Sequence, residues 1–271
     1  MKVLVFGAEG MLGSELMRAL PDAYGTTRYL SRAERLLPCI DITDVRDLHT
    51  AFDWARPEVV INCAGMVKSE CEKSTAYEIS KINAYAPHNI ARVASLTGCR
   101  VVHISTDCVF SGSSGSRTEE DPSDAVDLYG RSKKLGELVD HLHCVTLRTS
   151  FIGRDRKHKR GLLEWLLTQT ESVPGYANAM WSGLSTPELS RVIGKVILDT
   201  SMSGLYHVSG PVISKADLLE ILARSYKLSC RIRSETEPHI DRTLNGSRFN
   251  RTACYEPPSW EAMAEELAIN D

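Results

Sequence analysis

The stretch that decides the fold is Val3-Leu-Val-Phe-Gly7-Ala-Glu-Gly10-Met-Leu-Gly13, which runs on into Ser14-Glu-Leu-Met-Arg-Ala-Leu20. Val3–Phe6 is a short apolar run of β-prone residues. Glycines at GxxGxxG spacing follow, and then Leu12, Leu16, Ala19 and Leu20 recur on one helical stripe. Each glycine has its own task. Gly7 permits a tight turn, Gly10 lets the backbone approach a pyrophosphate, and Gly13 lets the helix sit close to the strand. The phosphates would lie at the helix N-terminus, where free N–H groups and the helix dipole favour negative charge. Spaced glycines alone are weak evidence, and a purely structural turn is the plain alternative. The strand before and the helix after are the context that the phosphate reading requires.

Outward from this stretch the alternation continues. Val59–Asn62, Val101–Ile104 and Val145–Thr149 are apolar runs without polar interleaving, and a weaker one lies at Tyr24–Arg28. Such runs predict strands buried on both faces of a parallel sheet. Between them, 44–55 and 77–96 carry helical patterns. The expected fold class is α/β, a Rossmann-type doubly wound parallel sheet with a smaller C-terminal α/β lobe. The boundary is placed at residue 150, giving 1–150 and 151–271, with the second part returning in places to the first. In that second part 161–169 and 187–198 read as helices and GLYHVSG, 204–210, as a short strand leading to a turn. Ser214 reads as the cap of a helix over 216–226, and 261–267 as a closing amphipathic helix.

Composition narrows the class. The chain has 271 residues, 42% hydrophobic and 25% charged, with a net charge of −3. These are ordinary globular values, and without a dominant basic run nucleic acid is not an expected partner. The one local basic cluster, Arg154–Arg160 (RDRKHKR), reads either as a solvated loop or as a loop that meets phosphates. Eight cysteines are scattered with no CxxC, so no metal site is expected, and Cys63 and Cys144 read as small buried thiols. The sequence opens directly on a strand, and no apolar run approaches a membrane span. The expectation is therefore no membrane partner and a reducing cytoplasm.

The chemistry-bearing positions follow the strand ends. Beyond the second strand stand Gly25-Thr26-Thr27-Arg28, where an acid would favour NAD. Arg28 suits a 2′-phosphate instead, so NADP(H) is preferred over NAD(H); the plain alternative is an exposed strand end. Asp41 can accept from an adenine amino group or serve as a helix cap in DITD. Cys63-Ala64-Gly65 close the next strand with small residues, either to let a cofactor lie across it or as a tight exit. The most informative pair is Tyr129 and Lys133, at i and i+4 on one helical face. Bringing a phenol from a pKa of about 10 to near 7 takes roughly 4 kcal/mol. One ammonium at about 4 Å in an effective dielectric near 20 supplies about that much. Thr106, in His103-Ile-Ser-Thr106-Asp107, ends a strand upstream and can hydrogen-bond a carbonyl beside Tyr129.

Taken in order, FGAEGMLG, RPEVVINCAG, HISTDCVFSG, LYGRSKKLGE, LRTSFIG and GLYHVSG resemble the extended short-chain dehydrogenase/reductase superfamily. Within it they resemble nucleotide-sugar reductases of the dTDP-4-dehydrorhamnose reductase type. The resemblance implies hydride transfer to C4 of a nucleotide-activated 4-keto-6-deoxy sugar, in deoxysugar and surface polysaccharide biosynthesis. Tyr129 would donate the proton, Lys133 would lower its pKa and hold the nicotinamide ribose, and Thr106 with Asp107 would orient the substrate. Cofactor contacts carry over to Gly10, Met11, Leu12, Asp41, Ile42, Gly65, Met66 and Val67. The smaller lobe would bind the nucleotide sugar, with Phe151, Trp181, Ser182 and Arg242 as candidates and Arg248 beside them. Trp181 reads equally well as a core residue. A homodimer is the assembly left open. Some family members use magnesium at a dimer contact, and no acidic ligand set for it is legible here. Cys108 stands where the family often has an aromatic residue. The 4,6-dehydratases have an acidic Glu there, and a thiol is a poor substitute. The rival readings are a nucleotide-sugar epimerase and a non-catalytic, NADP-binding regulatory subunit.

Overall fold

The computed structural model describes residues 1–270. Seven strands form the central sheet: β1 Val3–Phe6, β2 Tyr24–Thr26, β3 Leu36–Leu37, β4 Val59–Asn62, β5 Arg100–Thr106, β6 Cys144–Thr149 and β7 Gly204–His207. Their order is β7-β6-β5-β4-β1-β2-β3, and every pairing is parallel. The sense of progression reverses between β1 and β4. A crevice therefore opens outside their carboxyl ends, the place where such sheets bind ligands.

Alternation of side chains along each strand feeds two cores. Val3 and Val5 of β1 face one layer with Val59 and Ile61 of β4, while Leu4, Phe6 and Val60 face the other. The first layer is filled by helix α1 (Met11–Ala19) and by a later helix, Thr186–Leu198. The second is filled by α2 (Val45–Ala55) and α3 (Ala86–Thr97). Both faces are covered, so β1 and β4 are buried at every position and read as continuous apolar runs.

The expected elements appear with small shifts. α1 starts earlier than its apolar stripe because Gly10 is its N-cap. Asp44 caps α2 by accepting from Arg46 N at 2.9 Å, which leaves Asp41 outside the cap. The run over 77–96 is helical from Ala76 to Thr97 but is interrupted by a π turn at Lys81–Tyr85. In the second half Ser214 caps Lys215–Ser225 as expected, accepting from Asp217 N. Small sheets made of 172–176 with 231–235, and of 179–181 with 213–214 and 240–241, build the outer part of that half. Its apolar residues Leu163, Trp181, Leu218, Trp260 and Met263 belong to the same core layer as α1.

One helix matters most for the site. α4 (Leu128–Leu135) is followed by Glu137, whose carboxylate accepts from Arg148 of β6 through two bonds, Nε to Oε1 at 2.7 Å and Nη2 to Oε2 at 2.9 Å. The side chains are 2% and 1% exposed, so the pair is almost without water. Ser105 Oγ of β5 donates to the same carboxylate at 2.9 Å. Removing one member of a buried pair strands the other charge. Arg148→Met is expected to cost about 3–5 kcal/mol in urea unfolding, and pairing it with Glu137→Leu is expected to recover much of the loss.

Candidate active site

The crevice at the β1–β4 switch is a cavity of about 360 Å³. Its walls include Gly7, Gly10, Arg28, Asp41, Ile42, Cys63, Ala64, Gly65 and Met66, all expected from the sequence. Gly7 has φ +79, in the left-handed region that favours glycine. A Cβ on Gly13 would lie 2.0 Å from the Gly7 carbonyl oxygen, so only glycine lets α1 descend onto the turn. A Cβ on Gly10 would meet only that same oxygen, at 3.4 Å, and α1 has no side-chain cap. The first-turn N–H groups are thus left for an anion, and the cradle fits a dinucleotide diphosphate. Leu12 packs into the core and Met11 reaches toward Gly161, so only their backbone can serve a ligand. Val67 is exposed at the start of the short helix Lys68–Cys71, and it is not among the cavity walls.

Thr106 ends β5 and opens a single 3₁₀ turn, its hydroxyl accepting from Cys108 N at 3.1 Å and donating to Asp107 Oδ1 at 3.1 Å. α4 begins beside this turn. Asp127 caps it by accepting from Gly130 N at 2.8 Å. A Cβ on Gly130 would lie 2.1 Å from the Cys108 carbonyl oxygen, so the glycine after Tyr129 is what lets the helix touch the turn. That close approach brings the Tyr129 phenol beside the Thr106 hydroxyl, near enough for the two to interact. One turn further on, Lys133 Nζ donates to the Ile104 carbonyl at 2.7 Å and stands 3.8 Å from the Cβ position of Gly65, a residue of the cavity wall.

The electrostatics differ from the simple expectation. Burial, reinforced by the neighbouring Cys108, lifts the Tyr129 phenol above its ordinary range, and the nearby Thr106 hydroxyl opposes this. Burial pushes Lys133 down to about 8, with Glu137 and Cys63 pulling it back up. The lysine ammonium is turned to Ile104 and Gly65, so in this geometry it does not bring the phenol toward neutrality. Tyr129 therefore holds its proton at neutral pH.

Several contributors were not visible in the sequence. Asn83, inside the π turn, accepts from Met66 N at 2.8 Å and donates to Met66 O at 3.1 Å and to Ser132 Oγ at 3.2 Å. It thereby ties the cavity wall to α4. A π turn is a recurrent mark of a functional position, and only an irregularity in the helical pattern could have flagged it. Lys215 has its ammonium 3.7 Å from the centre of a Trp181 ring and acts on Asp107. Burial raises the Asp107 carboxyl, and Lys215 with Thr106 and Arg242 holds it back. Burial likewise pushes Lys215 down to about 8, with Asp107 and Cys108 opposing.

The lobe candidates divide. Arg242 stays at the site's rim, donating to Phe110 O at 3.2 Å and Ser111 O at 3.1 Å. Trp181 is not a free stacking surface: it is 5% exposed, donates to Ser150 Oγ at 2.8 Å, packs on Trp260 and lies under Lys215. Ser182 is buried and accepts from Leu244 N at 2.9 Å, a scaffold bond to the DRTLNG stretch. Phe151 is partly buried against the core, and Arg248 is held by Glu119 and Glu120. In this structure these last four side chains are engaged in packing, hydrogen bonding or ion pairing within the chain.

A parallel Rossmann sheet with Thr106, Tyr129 and Lys133 beside its switch-point cleft defines the extended short-chain dehydrogenase/reductase class. The chain belongs to the family described as "RmlD substrate binding domain", whose sequence model matches residues 1–264. It is 32% identical over 217 residues to the spore coat polysaccharide biosynthesis protein SpsK of Bacillus subtilis, covering 77% of this chain and 73% of that one. It is 31% identical over 230 residues to a dTDP-4-dehydrorhamnose reductase of Burkholderia thailandensis, covering 77% and 72%. It is also 25% identical over 267 residues to the methionine adenosyltransferase 2 subunit beta of Rattus norvegicus, covering 93% and 79%. Among solved structures, a dTDP-4-dehydrorhamnose reductase from Bacillus anthracis in complex with NADP superposes with a TM-score of 0.85 at 23% identity. That match covers 100% of this chain and 99% of that chain. It shares the fold.

Burial pushes the thiols of Cys63, Cys108 and Cys144 up to about 12. Cys108 thus stays a neutral thiol and supplies no acid of carboxyl strength beside Thr106. Iodoacetamide at pH 7.5, followed by peptide mass spectrometry, is expected to label the exposed Cys39 and Cys254 and to spare these three.

Proposed function

We propose that the chain is an NAD(P)-dependent oxidoreductase. It reduces the C4 keto group of a nucleotide-activated 4-keto-6-deoxy sugar, with NADPH preferred, in deoxysugar and surface polysaccharide biosynthesis. One observation carries the reading: the β5 end and α4 bring Thr106, Tyr129 and Lys133 together beside Gly65, a wall of the dinucleotide cleft. The match to a dTDP-4-dehydrorhamnose reductase over 77% of the chain supports the substrate class, and the SpsK match supports the polysaccharide setting.

Gly7, Gly10 and the backbone of α1's first turn would hold the diphosphate. Asp41 and Ile42 would meet the adenine, and Arg28 the 2′-phosphate. The bound nicotinamide supplies the hydride. Tyr129, protonated because burial holds its phenol high, gives its proton to the C4 oxygen as the carbonyl becomes an alcohol. Thr106, beside that phenol, orients the carbonyl. Lys133 offers a charged donor toward the ribose side at Gly65. Residues 151–271, apart from the returning strand β7 and the helix Thr186–Leu198 that covers the sheet, would form the sugar-binding lobe, with Arg242 at its edge and Lys215 beside Asp107. We take the substrate to be a soluble nucleotide sugar met in the cytoplasm. Among the described residues no helix is long and apolar enough to cross a membrane.

A second reading is favoured by the methionine adenosyltransferase subunit among the relatives, that of a cofactor-binding subunit of another enzyme. Turnover separates the two. With NADPH or NADH and dTDP- or UDP-4-keto-6-deoxy sugars, consumption of reduced cofactor supports the reductase. Tight cofactor binding without turnover on any of them supports the subunit. Tyr129→Phe is expected to lower kcat by about a hundredfold or more while sparing the cofactor Kd, the usual size for a lost general acid. The pH profile has a definite sign. Lys133 is charged below about 8 and neutral above it, so kcat/KM is expected to fall as pH rises through about 8. Lys133→Met is expected to remove that limb.

A further inference from the structure

Glu9 occupies the second variable position of the glycine loop. Its carboxylate accepts from Thr27 Oγ1 just beyond the C-terminal end of β2, and from Lys157 Nζ at 2.5 Å. In a Rossmann sheet that strand end is where the adenosine ribose is read. An acid there accepts from the ribose hydroxyls, suits NAD and repels a 2′-phosphate. The acid missing from the end of β2 in the sequence is thus delivered by the loop before α1. Lys157 comes from the other half of the chain, on the basic segment 154–160. Its ammonium is also 4.2 Å from the centre of the Tyr29 ring, and Glu9, Arg28 and Tyr29 all line the one cleft. A second cation of the segment, Arg160, is paired with Glu70 and Asp155.

We infer that the Glu9–Lys157 pair sets the choice between NADP(H) and NAD(H). The lysine neutralises the acid and, together with Arg28, receives the 2′-phosphate. The chemistry is suited to this. An ammonium has three donors, and one bond to Glu9 leaves the others free for phosphate oxygens. A phosphomonoester carries about −1.5 to −2 near neutral pH. Without Lys157, that group would face a carboxylate stripped of its ion-pair partner, with Arg28 and the already paired Arg160 as the cations left in the cleft wall. A 2′-hydroxyl would lose nothing, because Glu9 would still accept from it. Selectivity would then depend on a residue that reaches the adenosine end from the second half, rather than on the β2 end alone.

The inference rests on the nicotinamide-dinucleotide reading above, and the test separates the two. Affinities for NADPH and NADH are measured on the full chain by fluorescence of the reduced nicotinamide, with no substrate present. The Lys157 side chain is 36% exposed, so Lys157→Met leaves the core intact. It is expected to weaken NADPH about tenfold or more, the scale of a lost charge-assisted bond, and to leave NADH within about twofold. Glu9→Gln is expected to weaken NADH and to leave NADPH as tight or tighter. The double variant is expected to regain part of the NADPH affinity lost in Lys157→Met. Equal weakening of both cofactors by Lys157→Met, no change in either, or no recovery in the double variant overturns the pair's role. Wild-type binding of neither cofactor overturns the underlying reading with it. Selective binding without turnover overturns the reductase reading and leaves the pair's role standing.

Discussion

Glu137 and Arg148 share a pair of charge-assisted bonds in a place almost closed to water, and the rest of the site is arranged around satisfying them. A carboxylate buried this far persists only if its lone pairs are used. Arg148 of β6, Ser105 of β5 and Lys134 of α4 use them, while His207 of β7 lies 3.2 Å from Arg148 Nη1 and the Phe110 ring lies under the guanidinium. The hub therefore joins three strands to the end of the helix that carries Tyr129 and Lys133. Lys133 lies four residues before Glu137, and that carboxylate is also what pulls its proton affinity back up. The position of α4 is thus fixed by charge satisfaction as much as by apolar packing.

Close backbone approaches do the rest. Gly13 on the Gly7 carbonyl, Gly130 on the Cys108 carbonyl and Gly136 on the Asn83 carbonyl each leave no room for a Cβ, with distances of 2.0, 2.1 and 2.0 Å to the oxygen. The first seats the phosphate-facing turn, the second joins Thr106 to Tyr129, and the third joins the π turn to the end of α4. A side chain at any of these would force apart two elements that the site needs in contact.

What could be read in advance was what is local. β1 and β4 are legible to the residue because apolar runs stop at Gly7 and at Cys63-Ala64, where the chain must turn. Tyr129 with Lys133, and Ser214 with Asp217, are pairs within one turn of helix. Contacts between distant segments were not legible. Glu9 read as a variable position of the glycine motif, because nothing near it in sequence reveals Thr27 or Lys157. Lys215, between the cap Ser214 and the helix expected over 216–226, drew no reading of its own, because its relation to Asp107 exists only after the lobe folds back. Residue statistics left Trp181 between core and surface, and Trp260 with Lys215 decided it. The pull of Lys133 on the tyrosine was inferred from spacing alone, whereas its ammonium points at Ile104.

The last sheet strand carries a consequence of another kind. β7 pairs with β6 along its whole length, yet it lies at Gly204–His207, after much of the outer half has been made. A chain emerging from the ribosome cannot finish its sheet when the first 150 residues are out. β6 stays an open parallel edge until residue 207 follows, and open edges invite pairing with other chains. Synthesis thus imposes an order on this molecule. The first half waits, with one edge unsealed, for a strand from the half that completes it.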